Sequence, residues 1–564
     1  MSSKSNLELL PLGGMGKVTQ NMYLYMYGDE MLIVDCGIGF PDQHMPGVDV
    51  LIPDVKYLMK QLKAGKEIVG MVLSHGHDDH IAATGYLLGD LPEFPIYASP
   101  LTAGFAENRM KDGGVKRTIN ILKDGQVVEI GQSFRVESLA VTHSVPDTKH
   151  LLISTPVGLI YHGTDFKLDD NPVDGVKTDK VRVERAGRDG ILCMLIDCLR
   201  VERSERVPSE STTGPVIEQA MTGIKGKCIV TLMSSHLHRL QQTIDAAQRL
   251  GRKVAFVGRS VEQNVEIAVE LGKLNLPKNI KVDKRDIGDY PDERLCLIVA
   301  GSQGQEGSSL VRAVSGDHPV VQISEKDVVI FSADAIPGNE INYFSAIDEL
   351  SRKGVKVVYP DIAPGLHQSG HASAPEQQEM VELANPKYVM PIGGADRHRT
   401  LFVERVAEPA GISPERVLIP GKGDVLSFDQ NGRVRVSDHI TITPQAVDGL
   451  GVGDVGPRVL SDRKALGEAG IIMVIMPEIS KGQFDLKNIQ VVSRGFVFMK
   501  EAEDVIKFIK DQTVETIGSF KKKTDNETLR KAIESRLSRR LFKIIRREPI
   551  IVPVFFPLAK PYKK

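Results

Sequence analysis

The densest chemistry in the sequence is a run of six residues, His75-Gly76-His77-Asp78-Asp79-His80, which follows the apolar segment IVGMVLS at 68–74. His75 and His77 stand two apart in what reads as a loop, so both rings can face the same way. Gly76 permits the tight backbone path between them. Asp79 and His80 then open the next helix and face a neighbouring position. Neutral imidazoles with carboxylates are the ligand set zinc prefers. Such a density of histidine and aspartate is a poor match for an ordinary polar turn. Two further residues join the candidates. His143 ends an apolar strand in LAVTHSVPD, and Asp165 follows another in LIYHGTDFK. Taken alone, each is a turn residue; beside the first run, each becomes a candidate ligand. His162, in the same turn as Asp165, reads as structural.

The elements around these residues change rhythm along the chain. Residues 1–170 read as short strands separated by Gly, Pro and Asp, among them 31–40, 68–74, 94–99, 134–143 and 151–155. Helical patterns are fewer there, 55–63 being one. From about residue 208 strand and helix alternate: KCIVTLM, KVAFVG, CLIVAG, DVVIFSA and KVVYPD lead the repeats. That alternation predicts a parallel sheet wrapped by helices. No phosphate-binding glycine motif of the P-loop or GxGxxG kind accompanies it. Residues 365–445 return to the first style. AVDGLGVGDVGP at 446–457 reads as a linker. Beyond it lies a small α/β unit, with a helix over about 527–547. Leu529, Ile533, Leu537, Leu541 and Ile544 form its apolar stripe, Asp525 or Asn526 can cap it, Arg546 and Arg547 suit its C-terminal dipole, and Pro549 stops it.

Composition bounds the rest. The 564 residues suggest three or four domains, and 41% hydrophobic with 26% charged residues excludes wholesale disorder. Five cysteines without CxxC spacing exclude a disulfide scaffold and fit a reducing cytosol. No apolar run reaches the ~18 residues of a membrane span, and the start lacks the apolar stretch of a signal peptide. A cytoplasmic protein with no membrane partner is the expectation. The net charge of −2 hides an asymmetry: residues 501–564 hold 16 Lys and Arg against 9 Asp and Glu, a net +7, which leaves −9 for the rest. A basic end on an acidic body suits a polyanion-binding or assembly module, and also an ordinary solvated helix face.

HxHxDH, then a distant strand-end histidine, then a strand-end aspartate, resembles the metallo-β-lactamase superfamily. The likeness extends further. PLGGMGKVTQNM, MPGVDVLIPD, SHGHDDHIAAT, THSVPD, DFK, HRLQQ, GRKVAFVGRS, GSQGQEGSSL, IPGNE, HQSGHAS and SRGFVFMKEAED span nearly the whole chain. Together they resemble the ribonuclease J family, in its β-CASP branch. The resemblance implies an α/β architecture: a metallo-β-lactamase αββα sandwich (1–207 and 365–445) split by an inserted β-CASP α/β domain (208–364). A linker (446–458) and a small α/β C-terminal domain (459–564) for oligomerisation or RNA binding follow.

The resemblance also implies roles. His75, His77, His143 and Asp165 would hold one Zn²⁺, and Asp79, His80 and the bridging Asp165 a second. A water between the metals would become hydroxide near neutral pH and attack phosphorus in line, while the metals neutralise the phosphoryl oxygens. Asp79 is thus both ligand and catalytic residue. His371 in SGHAS would protonate the leaving oxygen or stabilise its charge, and Asp197 would orient it. His367, Gln368, Ser369, Gly370, His371, Ala372 and Ser373 resemble a nucleotide-phosphate loop, whose small residues let backbone N–H groups approach a phosphate. Arg259 and Ser260, with Ser302, Gln303 and Gly304, would line the RNA path, although GSQG also reads as a plain strand-to-helix turn. The implied activity is 5′-to-3′ exonuclease with some endonuclease cleavage, in RNA maturation and decay. The preferred substrate would be 5′-monophosphorylated single strands. The implied assembly is a homodimer or homotetramer, or a heteromer with a paralogue.

The sequence departs from the family pattern near the site. Where the family has PIHGE, with a histidine that ligates the second metal, this chain has Pro391-Ile392-Gly393-Gly394-Ala395. Gly393 offers no ligand, so the second site is expected to be weaker, with Asp396 and His398 the nearby replacements. The family's HTGD is His162-Gly163-Thr164-Asp165, and its SDST is Ile196-Asp197-Cys198-Leu199. These changes motivate an alternative: a weakly active or inactive paralogue serving as an RNA-binding, scaffolding subunit. HxHxDH alone also permits a small-molecule hydrolase, but a large inserted domain suits such a substrate poorly. A β-CASP DNA nuclease is the remaining relative.

Overall fold

A computed structural model describes residues 5–42, 44–336, 338–449, 451–480, 483–496, 503–520 and 524–557. Pro337 of IPGNE, Leu450 of the glycine-rich segment and residues 497–502 of SRGFVFMKEAED lie outside the described residues. Tertiary contacts divide the chain into two units: Met1–Phe40 with Val50–Gln445, and Pro41–Asp49 with Ala446–Lys564.

The first unit contains two facing sheets. One has eight strands in the order Val434–His439, Asp424–Phe428, Leu7–Pro11, Tyr23–Tyr27, Glu30–Val34, Glu67–Leu73, Ile96–Ala98 and Ile119–Ile121. The other has six: Tyr388–Ile392, Ile191–Asp197, Leu159–His162, Lys149–Ser154, Phe134–Ala140 and Val127–Ile130. Alternate residues of a strand share a face. Leu7 and Leu9, Tyr23 and Tyr25, and Leu32 and Val34 therefore meet Leu151, Ile153, Ile160, Cys193, Leu195, Met390 and Ile392 in one core. The opposite face of the six-stranded sheet presents Leu152, Tyr161, Met194 and Ile196. The helices Lys180–Asp189 and Ala374–Ala384 cover it with Val183, Ala186, Met380, Val381 and Ala384. These layers are the expected sandwich.

The strands Ile191–Asp197 and Tyr388–Ile392 are parallel neighbours, with Asp197 opposite Ile392. Between them the chain builds a separate parallel sheet of five strands, in the order Lys253–Val257, Leu295–Val299, Cys228–Thr231, Val328–Phe331 and Lys356–Val358. Each strand predicted from the alternation is present. Leu310, Tyr343, Ile347 and Leu350 from the intervening helices close its core against Ile229, Leu297, Val329 and Phe331. A strand-helix domain is thus inserted into the sandwich.

In the second unit, the strand Ile471–Ser480 pairs antiparallel with Gln490–Arg494 and parallel with Ile550–Pro557. Helix Asn526–Ile545 buries Leu529, Ile533, Leu537 and Leu541 and is capped by Asp525, which accepts from the Glu527 and Thr528 amides. Ile544, expected on that stripe, is 61% exposed. The buried positions recur every four residues, and the next in that series is Ile545, which packs on the core instead. The glycine-rich segment is not a featureless linker, since Val447 pairs with Val452 in a short antiparallel hairpin.

Candidate metal centre

The site forms where parallel strands end, the usual place for a crevice in α/β sheets. Glu30–Val34 and Glu67–Leu73 run parallel and release Asp35 and His75 at the same edge. Leu159–His162 and Ile191–Asp197 run parallel and release Asp165 and Asp197. His77 precedes the short helix Asp78–Ile81, which carries Asp79 and His80. His143 is not at a strand end as expected. Its strand, Phe134–Ala140, stops three residues earlier, and Thr142 bridges to Lys167 instead.

Among the described residues three groups of ligand atoms converge on Asp165: His75, His77 and His143 in one, Asp79 and His80 in a second, and Asp197 and His371 in a third; the first two are the expected metal groups. Asp165 divides its oxygens between them. Its Oδ2 lies 3.6 Å from His75 Nε2 and 3.8 Å from His143 Nε2, and its Oδ1 lies 3.6 Å from His80 Nε2. Asp79 Oδ2 is 3.8 Å from that same His80 nitrogen. These separations exceed a hydrogen bond. They approach the ~3.3 Å edge of a tetrahedron built on ~2.0 Å zinc–ligand bonds. His75 Nε2 is buried and has no hydrogen-bond partner. A donor set with such an orphan suits a shared cation.

Each ring is aimed by its other nitrogen. His143 Nδ1 donates to the Gly370 carbonyl at 2.7 Å. His77 Nε2 lies 3.2 Å from Ser144 Oγ, leaving Nδ1 to face His143 Nε2 at 3.1 Å. His75 Nδ1 lies 3.0 Å from Ser74 Oγ. His80 Nδ1 is 2.7 Å from Asp35 Oδ2, whose carboxylate also takes the Ser74 amide and hydroxyl. Burial pushes the His75, His77 and His143 pKa values down, which keeps the rings neutral, the form that binds metal. Burial also opposes charge on His80, but Asp165, Asp35 and Asp79 outweigh it and hold its pKa well up. Burial lifts Asp79 to about 6. So many buried carboxylates ask for positive charge at this spot.

His371 stands beside these groups. Its Nδ1 is 2.7 Å from Asp197 Oδ2, and its Nε2 is 3.9 Å from Asp165 Oδ2. Asp197 is fixed in turn by the Leu199 amide at 2.8 Å. Burial works against a charged His371, but Asp197 and Asp165 outweigh it and raise its pKa to about 9.

Gly393 has φ +65, and a Cβ there would lie 3.3 Å from Asp197 Oδ1 and 3.9 Å from Asp165 Oδ1. The position faces the site but carries nothing into it. Neither replacement reaches the cluster. His398 Nδ1 accepts from the Ala395 amide, with Nε2 3.6 Å from Glu202, and the exposed Asp396 pairs with Arg399.

The expected RNA contacts divide. In the 367–373 segment, the Ala372 amide donates to Phe166 O at 2.6 Å, and the Ser373 amide and hydroxyl both donate to Glu376. These donors are closed to a phosphate. Ser369 Oγ takes the His371 amide, and Gln368 O and His367 Nδ1 take Arg239. Ser302 and Gln303 are buried, with Gln303 bracing its own turn against Asp334 and Ile336, and Gly304 packs against Asn342. They sit in a tight turn. Arg259 is exposed and Ser260 half-buried at the start of helix Arg259–Glu270. His162 is buried, with Nδ1 2.7 Å from Tyr25 Oη, and belongs to none of the converging groups.

Residue types alone missed Asp35, Asn21 and the Arg239–Glu210 pair. Asn21 Nδ2 lies 3.0 Å from His80 Nε2. Arg239, almost fully buried, holds Glu210 through two bonds of 2.8 and 2.9 Å and pins the 367–368 backbone and ring. Asn21 and Arg239 fall inside quoted motifs, NM and HRLQQ, whose family likeness was their one signal.

Comparison with known proteins adds the lineage. Residues 15–153 match a model of the metallo-beta-lactamase superfamily, 225–350 the ribonuclease J beta-CASP domain, and 458–558 the ribonuclease J C-terminal domain. Ribonuclease J of Thermus thermophilus is 34% identical over 559 residues, covering 98% of this chain and 95% of that protein. Ribonuclease J 1 of Streptococcus pyogenes is 33% identical over 560 residues, covering 98% and 99%. Ribonuclease J2 of Bacillus subtilis is 31% identical over 553 residues, covering 97% and 98%. A crystal structure of a protein of unknown function from Enterococcus faecalis shares the fold, with TM-score 0.53 and 17% identity over 75% of this chain and 100% of that one. With full-length relatives above 30% identity and domain models in the expected order, this chain belongs to the ribonuclease J family.

Proposed function

We propose that this chain is a zinc-dependent ribonuclease that removes nucleotides from the 5′ end of single-stranded RNA and also cuts internally. The observation that carries the reading is the sharing of Asp165 between two ligand groups, with His371 alongside, its Nδ1 held by Asp197 and its Nε2 3.9 Å from Asp165. The nitrogen-rich set around His75, His77 and His143 favours zinc over magnesium or calcium. Zinc in this site supplies Lewis-acid polarisation of the phosphoryl group and a nucleophile available at neutral pH. The protein's own residues do the rest. Asp35, Ser74 and the Gly370 carbonyl hold the imidazoles to one orientation each. Asp197 holds His371 by Nδ1 and leaves Nε2–H toward the cleft. From there the ring can give its proton to the departing ribose oxygen, general-acid help that is typically worth about 10²–10⁴ in rate.

The reading carries with it a role in RNA maturation and decay and a cytoplasmic location, which five buried, unpaired cysteines support. It also carries assembly into a homo-oligomer or with a paralogue. Incubation of the zinc-loaded protein with single-stranded RNA carrying a radiolabelled 5′ monophosphate tests it. The expected outcome is release of mononucleotides from the 5′ end, with His371→Gln slower by about 10²-fold or more at unchanged metal content. RNA left intact by the wild type overturns it.

Gly393 favours a second reading, a weak paralogue that binds RNA for an active partner, because the second ligand group keeps three protein residues, Asp79, His80 and Asp165. Tight RNA binding with negligible cleavage, restored by adding an active relative, is its signature.

A further inference from the structure

Helix Asn526–Ile545 turns one face, Leu529, Ile533, Leu537 and Leu541, into the core of its unit. The opposite face of its last turns carries Arg539, Phe542 and Lys543, with Arg546 just beyond its end. All four are exposed, and Phe542 keeps 40% of its surface in water. The Arg546 guanidinium stands 5.5 Å from the Phe542 ring centroid. Three other cations of this helix have carboxylate partners, Lys531 with Glu527 and Arg536 and Arg540 with Glu515, while Arg530 stands over the Phe555 ring. Arg539 bonds to Ser535 alone, and among the described residues no carboxylate lies within ion-pair distance of Arg539, Lys543 or Arg546. The face belongs to the segment with net charge +7 on an otherwise negative chain.

We propose that Arg539, Phe542, Lys543 and Arg546 form a docking surface for single-stranded RNA. The proposal rests on the reading of RNA as substrate and adds a second point of attachment in the C-terminal unit. Sequence-independent single-strand binding combines cations that track the backbone with an aromatic face on which a base stacks. Both are present within a few residues. Arg539 and Lys543, four residues apart, are separated by about 6 Å along the helix axis, so both can engage one strand. A second copy of this chain is a poor occupant. A two-fold interface centred here would set Arg539, Lys543 and Arg546 against their own copies. A strand long enough to engage this surface and the catalytic cleft together gains affinity from the linkage.

The test uses the full chain carrying Arg539→Glu, Lys543→Glu and Arg546→Glu. Fluorescence anisotropy in chelator reads binding of 5′-phosphorylated oligouridylates of about five and about forty nucleotides across a potassium chloride series. The longer strand is expected to bind at least ten-fold more weakly to the variant at low salt. The slope of log K against log salt should fall by about 2, at about 0.7 per lost single-strand contact. The short strand should bind unchanged. Phe542→Ala is expected to weaken the longer strand by about five-fold or more, through lost stacking, with the salt slope retained. Equal weakening of both lengths, or no weakening of either, overturns the proposal. So does a change in sedimentation with RNA binding intact, which would make the surface a protein interface. Because binding is read without cleavage, a chain that docks long RNA through this face yet fails to cut it with zinc would sink the nuclease reading and leave the docking surface standing.

Discussion

Asp165 joins the two ligand groups, and the residues that aim its neighbours set how well they bind. Asp35 is the clearest of these. It is fully buried, has φ +61, and its carboxylate sits against His80 Nδ1. Asp35→Asn keeps the shape and loses the charge that orients His80. It should weaken metal binding by about 10–100-fold, read by titration with a competing chelator, while circular dichroism stays native. Unchanged affinity would remove Asp35 from the site. Gly393 allows the opposite experiment. Gly393→His should tighten binding of the second metal equivalent, at a stability cost of about 1–2 kcal/mol because the backbone there is left-handed. Equal affinity in both proteins would mean the position does not reach the metal. The heart of the candidate cluster was legible in the sequence, since His75, His77, Asp79 and His80 fall within one short run. Asp35 was not, because nothing local ties it to His80. The pairing of strands Glu30–Val34 and Glu67–Leu73 brings the two together.

At the scale of elements, Glu376 in the first turn of helix Ala374–Ala384 ties the site's loops to one another. Its carboxylate accepts from the Leu168 and Val207 amides and from the Ser373 amide and hydroxyl, all at 2.7 to 3.0 Å. Leu168 lies just past Asp165, and Ser373 two residues past His371. Glu376→Ala leaves buried donors without partners, so chemical denaturation should show a loss of at least about 2–3 kcal/mol. Activity should fall with it, as the loops bearing Asp165 and His371 loosen. A loss below about 0.5 kcal/mol would contradict this. Strand and helix alternation made the inserted parallel sheet legible, because buried strands and amphipathic helices have different periods. Finer points were not. Ile544 and Ile545 are adjacent apolar residues, and packing against the sheet decides which is buried. The glycine-rich segment looks like a linker by composition, but pairing across Val447 and Val452 makes part of it a hairpin. In the proposed phosphate loop, the fold uses the Ala372 and Ser373 amides to bind Phe166 and cap a helix, a pairing that local sequence does not reveal.

For the whole molecule, buried histidines outside the ligand set make stability depend on pH. Burial holds His150 at about 3 and His162 and His236 at about 4. An unfolded histidine titrates near ~6.5. Below that pH the unfolded chain takes up protons that the folded chain refuses. The stability is fully present above about 6.5 and declines as pH falls, by up to about 1.4 kcal/mol per unit per histidine. His80 and His371, held up by carboxylates, change stability mainly above ~6.5, and Asp79, lifted to about 6, offsets part of the loss below it, one carboxyl against three histidines. The melting temperature should therefore drop steadily from pH 7 to pH 5, and a flat profile would contradict the burial of these rings. The central claim is that the Asp165-centred groups hold the metal that drives RNA hydrolysis. The most direct measurement counts bound zinc by elemental analysis and times nucleotide release from 5′-monophosphorylated RNA on one preparation, beside His77→Ala. The account predicts one to two zincs per chain with nucleotide release, and loss of both zinc and release in His77→Ala. Zinc-free wild type that still cuts RNA, or His77→Ala that keeps full zinc and full activity, would contradict it.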